Sequence, residues 1–301
     1  MLAIAGVCFA LIQASGGLTP AVIAALVAAV AAAGAFIAVE RRSGHPMLPL
    51  ELFRSRQFAS ATVLALITYA ALGGVIFLFV AFLQIALGYT ALQAGAATLP
   101  VTVLMLVLSA PSGALAGRIG PRIPLTAGAL LTGAGLLLMA QIDPGDSYLT
   151  TVLPALAVFG VGLAALITPI TATVLASVDA RHSGIASAVN NAMSRLGQMI
   201  AVAALPLAAG LSGAAFYNRA EMAAGFPVAM TIAAGVSFAA ALLAWTTISD
   251  NALRRSAADA KDEAKTIPPS LHRHCAMAGT PLAAPPNPPP SSRPPPAAKK
   301  S

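Results

Sequence analysis

Long apolar runs, each closed by charges, glycines or prolines, dominate the chain. Read this way, the sequence predicts eight spans, near residues 1–15, 21–39, 58–82, 96–116, 123–141, 150–172, 184–208 and 225–247. Seven of them approach or exceed the roughly 20 residues a bilayer-crossing helix needs. The first starts at Met1 and covers about 22 Å, short of the roughly 30 Å hydrocarbon core. With no basic stretch before it, this span reads as a clipped transmembrane helix rather than a cleaved leader. Nothing alternates as a barrel strand does, and amides in lipid must be satisfied within their own segment. The expected fold class is therefore all-α: a polytopic membrane protein of about eight transmembrane helices. Its expected divisions are a two-helix hairpin over 1–39, a connector over 40–57, a six-helix bundle over 58–247 and a tail over 248–301.

Composition agrees and removes other classes. Hydrophobic residues are 58% of the 301 positions and charged residues only 9%, where soluble domains carry about 25% charged. A soluble enzyme is excluded. The net charge of +7 would suit a nucleic-acid partner if it were gathered on one face. It is not: eight basic and four acidic residues lie from position 250 onward, which leaves +3 for the rest, scattered over short loops. That is topology-setting charge, and no nucleic-acid partner is expected.

The placement of those charges predicts orientation. One set of loops carries Arg41, Arg42, Arg54, Arg56, Arg118, Arg122, Arg181, Arg254 and Arg255. The opposite set carries Arg219 with Asp143, Asp146 and Glu221. The first set is thus expected in the cytosol, with both termini there and the protein in the cytoplasmic membrane. Tyr89, Tyr148 and Tyr217 fall at predicted outer interfaces and Trp245 at an inner one.

Other features carry less chemistry. Gly113 and Gly117, and Gly160 and Gly162, would let helices approach closely, and Pro100, Pro111, Pro154, Pro169 and Pro206 lie in or beside spans. Cys8 and Cys275 give no disulfide framework. The stretch from Asp250 to Lys265 suits a surface helix, and Ile267 to Ser301 is too proline-rich to bury a core. His272, His274 and Cys275 lie there without a fourth ligand, so neither metal nor cofactor is expected. His45 and His182 stand at loop ends, with no Ser/His or metal spacing inside the spans, and no enzyme activity is expected.

One stretch carries a resemblance. Residues 108–125 read LSAPSGALAGRIGPRIPL, which resembles the cytosolic loop between the second and third helices of a six-helix bundle in the major facilitator superfamily. Gly113, Gly117, Arg118, Gly120 and Arg122 form the core of that match. Glycines permit a tight turn, and arginines there bind carboxylates or helix C-termini. In the family such contacts help hold one conformation of the alternating-access cycle. The acidic residue usual in the first-bundle version is absent here, as in second-bundle versions. Three further segments resemble fourteen-span drug–proton antiporters in family order: residues 45–54 (HPMLPLELFR), 87–95 (LGYTALQAG) and 181–197, which includes RHSGIASAVN. The resemblance covers about residues 1–247.

The resemblance implies a membrane transporter that exports small, often apolar or cationic molecules against proton entry, of which this chain carries helices seven to fourteen, starting inside the seventh. In the family the first bundle usually supplies the membrane-embedded acid that exchanges the proton. All ten acidic residues here fall outside the predicted spans, so the chain is expected to need a first half, which would be separately encoded. The rival expectation is a non-transporting interaction subunit or an inactive fragment of a split gene, which the proline-rich ending favours.

Arg195 is the one charge predicted inside a span. An arginine at mid-bilayer costs roughly 2.5–3.5 kcal/mol on insertion scales and should face a polar interior. Ser187, Asn190, Asn191, Ser194 and Gln198 lie near it, and positions 187, 191, 194 and 198 share a helix face. This row is expected either to line the central cavity or pair with the missing half, or only to hydrogen-bond neighbouring helices.

Overall fold

The computed structural model describes residues 6, 10, 19–42, 50–179, 182–211 and 213–250, all within the first of two compact units, Met1–Ala257. Most of the first span, residues 43–49, Arg181, the tail from 251 and its His272, His274 and Cys275 lie outside the described residues. Among those described, every regular element is a helix.

The helices are α1 (Pro20–Arg42), α2 (Arg56–Ile85), the short α3 (Ala91–Ala97), α4 (Leu99–Ile119), α5 (Arg122–Met139), α6 (Leu153–Ala176), α7 (Ser183–Ala208) and α8 (Arg219–Thr247). Local chemistry sets their ends. Ser55 caps α2 by accepting the Phe58 amide at 3.4 Å. Thr90 and Gln93 form a reciprocal capping box at α3. Asn218 caps α8 through the Ala220 and Glu221 amides, at 2.9 and 3.3 Å. Pro100 and Pro154 sit in first turns, where a missing N–H costs nothing, whereas Pro111, Pro169, Pro206 and Pro227 lie inside helices.

Five described segments are long and apolar enough to cross a membrane: α2, α3 with α4, α5, Tyr148–Ala176 and α8. The protein is thus a multi-pass membrane protein. Helix α7 has the length, 26 residues, but Asn190, Asn191, Ser194, Arg195 and Gln198 dilute it. It is the most amphipathic of the long helices. Helix α1 is apolar over Pro20–Ala32, and Gly6 abuts it, since an added Cβ there would lie 2.9 Å from the Ala29 Cβ.

Glycine sets how closely the helices meet. A side chain at Gly197 of α7 would strike the Leu66 carbonyl of α2 and come within 3.1 Å of the Ala70 nitrogen. Gly73 and Gly74 of α2 leave room for Gln198 and Ala201 in turn. Between α5 and α6, Gly135 faces the Phe159 nitrogen, and Gly162 faces the backbone of Thr132 and Gly128. In a bilayer, where lipid is as apolar as leucine, this close packing is what holds helices together. Helix α2 packs chiefly on α7 and α8, α5 on α6 and α8, and α4 on α6.

The interior has two apolar clusters. One, around Phe79, Phe82, Phe159 and Phe226, includes the stacked rings of Phe82 and Phe226, 4.0 Å apart. The other gathers Phe58, Leu64, Leu125, Ile170 and Ala244. The buried Ser237 of α8 donates to the Ala129 carbonyl of α5 at 2.9 Å, which satisfies a hydroxyl that would be costly to leave unpaired there.

Candidate functional site

Two places gather the chemistry. The first is the turn between α4 and α5. Gly120 has φ +98° and precedes Pro121, a left-handed backbone that glycine alone adopts without strain. A Cβ on Gly120 would also collide with the carboxylate of Asp250, from just beyond α8. That carboxylate accepts the Arg122 amide at 3.1 Å, which places a negative charge on the N-terminus of α5. The Arg122 guanidinium lies over the Trp245 ring of α8, 4.1 Å from its centroid, a cation–π contact. One residue before Asp250, Ser249 donates its amide to Gln57 Oε1 at 2.8 Å and accepts from Gln57 Nε2 at 3.3 Å. The end of α8 is thereby fastened to both the start of α2 and the start of α5.

Of the five loop residues singled out in the sequence, Gly120 and Arg122 belong to this fastening. Gly113 packs on α6, where an added Cβ would lie 2.9 Å from Thr168 Cγ2. Gly117 faces open space, so the two glycines of the GxxxG pattern do not share one packing face. Arg118 is exposed in the last turn of α4, a favourable place for a cation. The carboxylate contact comes from Asp250 to the Arg122 backbone rather than to its side chain. No local spacing marks Gln57, Ser249 and Asp250, because they lie 192 and 128 positions from their partners. Their one local signal is a polar pair directly after a long apolar helix.

The second place is α7. The polar row divides there. Asn190 and Ser194 are buried, with Ser194 Oγ donating to the Asn190 carbonyl at 2.7 Å. Asn190 Oδ1 is buried with no partner among the described residues. Gln198 is half-buried against Gly73 of α2. Ser187, Asn191 and Arg195 are instead exposed, and Asn191 Nδ2 donates to the Ser187 carbonyl at 3.1 Å. Arg195 makes no ion pair with a described residue.

An apolar cavity of about 190 Å³ lies between α2, α7 and α8, lined by residues such as Ile67, Ala71, Ala201, Ala204, Ile232 and Val236. It offers nothing to orient a polar ligand. No group of three His, Cys, Asp or Glu side chains among the described residues is placed to hold a metal.

A family model described as Major Facilitator Superfamily matches residues 1–202 and 62–284. The puromycin resistance protein pur8 of Streptomyces alboniger is 31% identical over 269 residues, 84% of this chain and 52% of that protein. The multidrug resistance protein Stp of Mycobacterium tuberculosis is 36% identical over 170 residues, 56% of this chain and 31% of that protein. The multidrug efflux pump LfrA of Mycolicibacterium smegmatis is 29% identical over 226 residues, 75% of this chain and 44% of that protein. The matched regions thus span from about a third to about half the length of these relatives.

Proposed function

Since the chain belongs to the Major Facilitator Superfamily, we propose that it forms the second bundle, with the preceding helix pair, of an exporter of small drug-like molecules. Export runs by proton antiport and alternating access. The observation that carries this reading is the exposed row Ser187, Asn191 and Arg195 on a membrane-length helix. Lipid is a poor neighbour for it, and a polar cavity or bundle interface is a good one. The relatives' names, for puromycin resistance, multidrug resistance and multidrug efflux, support export of drug-like compounds.

Alternating access needs a site whose two walls part on each side of the membrane in turn, and ligands that bind the two states differently. This chain supplies one wall. Its described acids lie outside the spans or at their ends: Glu40 and Glu221 are in end turns of α1 and α8, and Glu51, Asp143, Asp146, Asp179 and Asp250 lie in short segments between or after the long helices. The proton-exchanging acid and the second wall therefore come from a first bundle, in the same polypeptide or another. The end bearing Arg118, Arg122 and Arg56 faces the cytosol, as do both termini, in the cytoplasmic membrane. The fastening of α8 to Gly120 and Arg122 then closes this bundle on the cytosolic side, so that it rocks as one body. The chain acts as a transporter half and not as an enzyme.

Puromycin accumulation in a sensitive bacterial host tests the reading. The chain alone should leave accumulation unchanged. Co-expressed with the first six helices of the Streptomyces alboniger relative, it should lower accumulation several-fold, and a protonophore should restore it. Lowered accumulation from the chain alone would contradict the need for a first bundle, and no effect from the pair would contradict export.

A further inference from the structure

We infer that Arg195 receives a carboxylate carried by a transmembrane helix of the first bundle, and that this ion pair fastens α7 to it. The inference rests on the two-bundle reading above.

Position supports it first. Arg195 is the thirteenth of the 26 residues of α7, about 18 Å from either helix end at 1.5 Å per residue. That is further than an arginine side chain reaches to a headgroup. Second, no described residue compensates the charge: Arg195 is exposed and makes no ion pair with one, and no described acid lies at mid-depth of a span. A guanidinium at that depth calls for an anion, and its planar fork fits a carboxylate in a bidentate pair.

Shape then selects a helix over a small molecule as the carrier. The exposure continues through Gly184, Ser187, Ala188, Asn191, Ala192 and Arg195, a strip about 16 Å long. Its small members sit four apart, the spacing that lets a second helix lie close. At Gly184 an added Cβ would meet nothing within 4 Å. Asn191 Nδ2 is engaged by the Ser187 carbonyl, so Arg195 is the cationic donor left on this strip.

Two measurements test the pairing. In the full chain purified alone into nanodiscs, Arg195→Met should leave the thermal midpoint unchanged or raise it, because no described residue pairs with the charge. A fall would show that Arg195 is satisfied inside the chain and would overturn the inference. In the second, the chain is co-expressed with the tagged first six helices of the Streptomyces alboniger relative. Wild type and Arg195→Lys should be retained, Arg195→Met should lose at least five-fold, and Arg195→Glu should recover when the matching acid in that half is changed to Lys. Equal retention of wild type and Arg195→Met overturns the ion pair and leaves the two-bundle reading standing. If that variant also stops exporting only carboxylate-bearing compounds, the carboxylate belongs to the substrate. Failure to retain the wild-type chain overturns both.

Discussion

Helices α4 and α7 occupy similar positions in the bundle and present opposite chemistry. Each leans mainly on one neighbour, α4 on α6 and α7 on α2, and each leaves a broad face uncovered. The face of α4 carries Val103, Leu106 and Val107, which are 55%, 78% and 61% exposed. That of α7 carries Ser187, Asn191 and Arg195. Acyl chains satisfy the first face without any specific partner. The second face makes a demand, because a guanidinium in hydrocarbon needs water or an anion. In a membrane bundle, therefore, exposure alone says little about where function lies, and the polarity of what is exposed says much more.

The largest expected effect comes from giving α4 the chemistry of α7. Leu106→Arg should cost about 2.5–3.5 kcal/mol in a membrane-insertion assay, and a cost near zero would break the contrast between the faces. Next comes the seam that holds α7. Gly197→Leu, driven into the Leu66 carbonyl, should destabilise the purified chain by about 1–3 kcal/mol, as read by thermal unfolding in detergent. The turn that ends α4 offers a smaller change. Asp250→Ala removes the cap on α5 and should cost about 1 kcal/mol; hydrogen exchange should speed up around residues 118–124 and stay the same along α7. Smallest of all, Gly117→Leu on the open face of α4 should stay within about 0.5 kcal/mol of wild type. A larger loss would show that Gly117 packs against something.

Much of this fold is legible in the sequence because lipid makes helix the only outlet for a long apolar run. The spans expected at 58–82 and 184–208 correspond to Arg56–Ile85 and Ser183–Ala208. The largest discrepancy is instructive. The last span, expected from 225, starts at Arg219, because Asn218 caps it and Glu221 suits its first turn. Charges that read as loop residues in a hydropathy pattern are good helix starters. Thr90 and Gln93 likewise build a short helix before α4, in the gap between the expected spans 58–82 and 96–116. The site is less legible. Arg195 stands out in any scan for charge inside a span, but which of its neighbours share its exposed side depends on where α2 packs, and that is fixed by Gly73, Gly74 and Gly197. So Asn190 and Ser194 turn inward while Asn191 and Ser187 do not. The fastening by Asp250 and Gln57 is invisible locally because it joins the two ends of the bundle's sequence.

Thiol cross-linking in intact membranes tests most directly whether the exposed row of α7 faces the first bundle while the exposed face of α4 meets lipid. With Cys8 and Cys275 replaced by Ser, Asn191→Cys and Leu106→Cys are compared in the chain co-expressed with the relative's first six helices, which carry cysteines introduced at mid-depth. Position 191 should cross-link to that half and position 106 should not. Cross-linking at neither position would leave α7 against lipid and contradict the pairing.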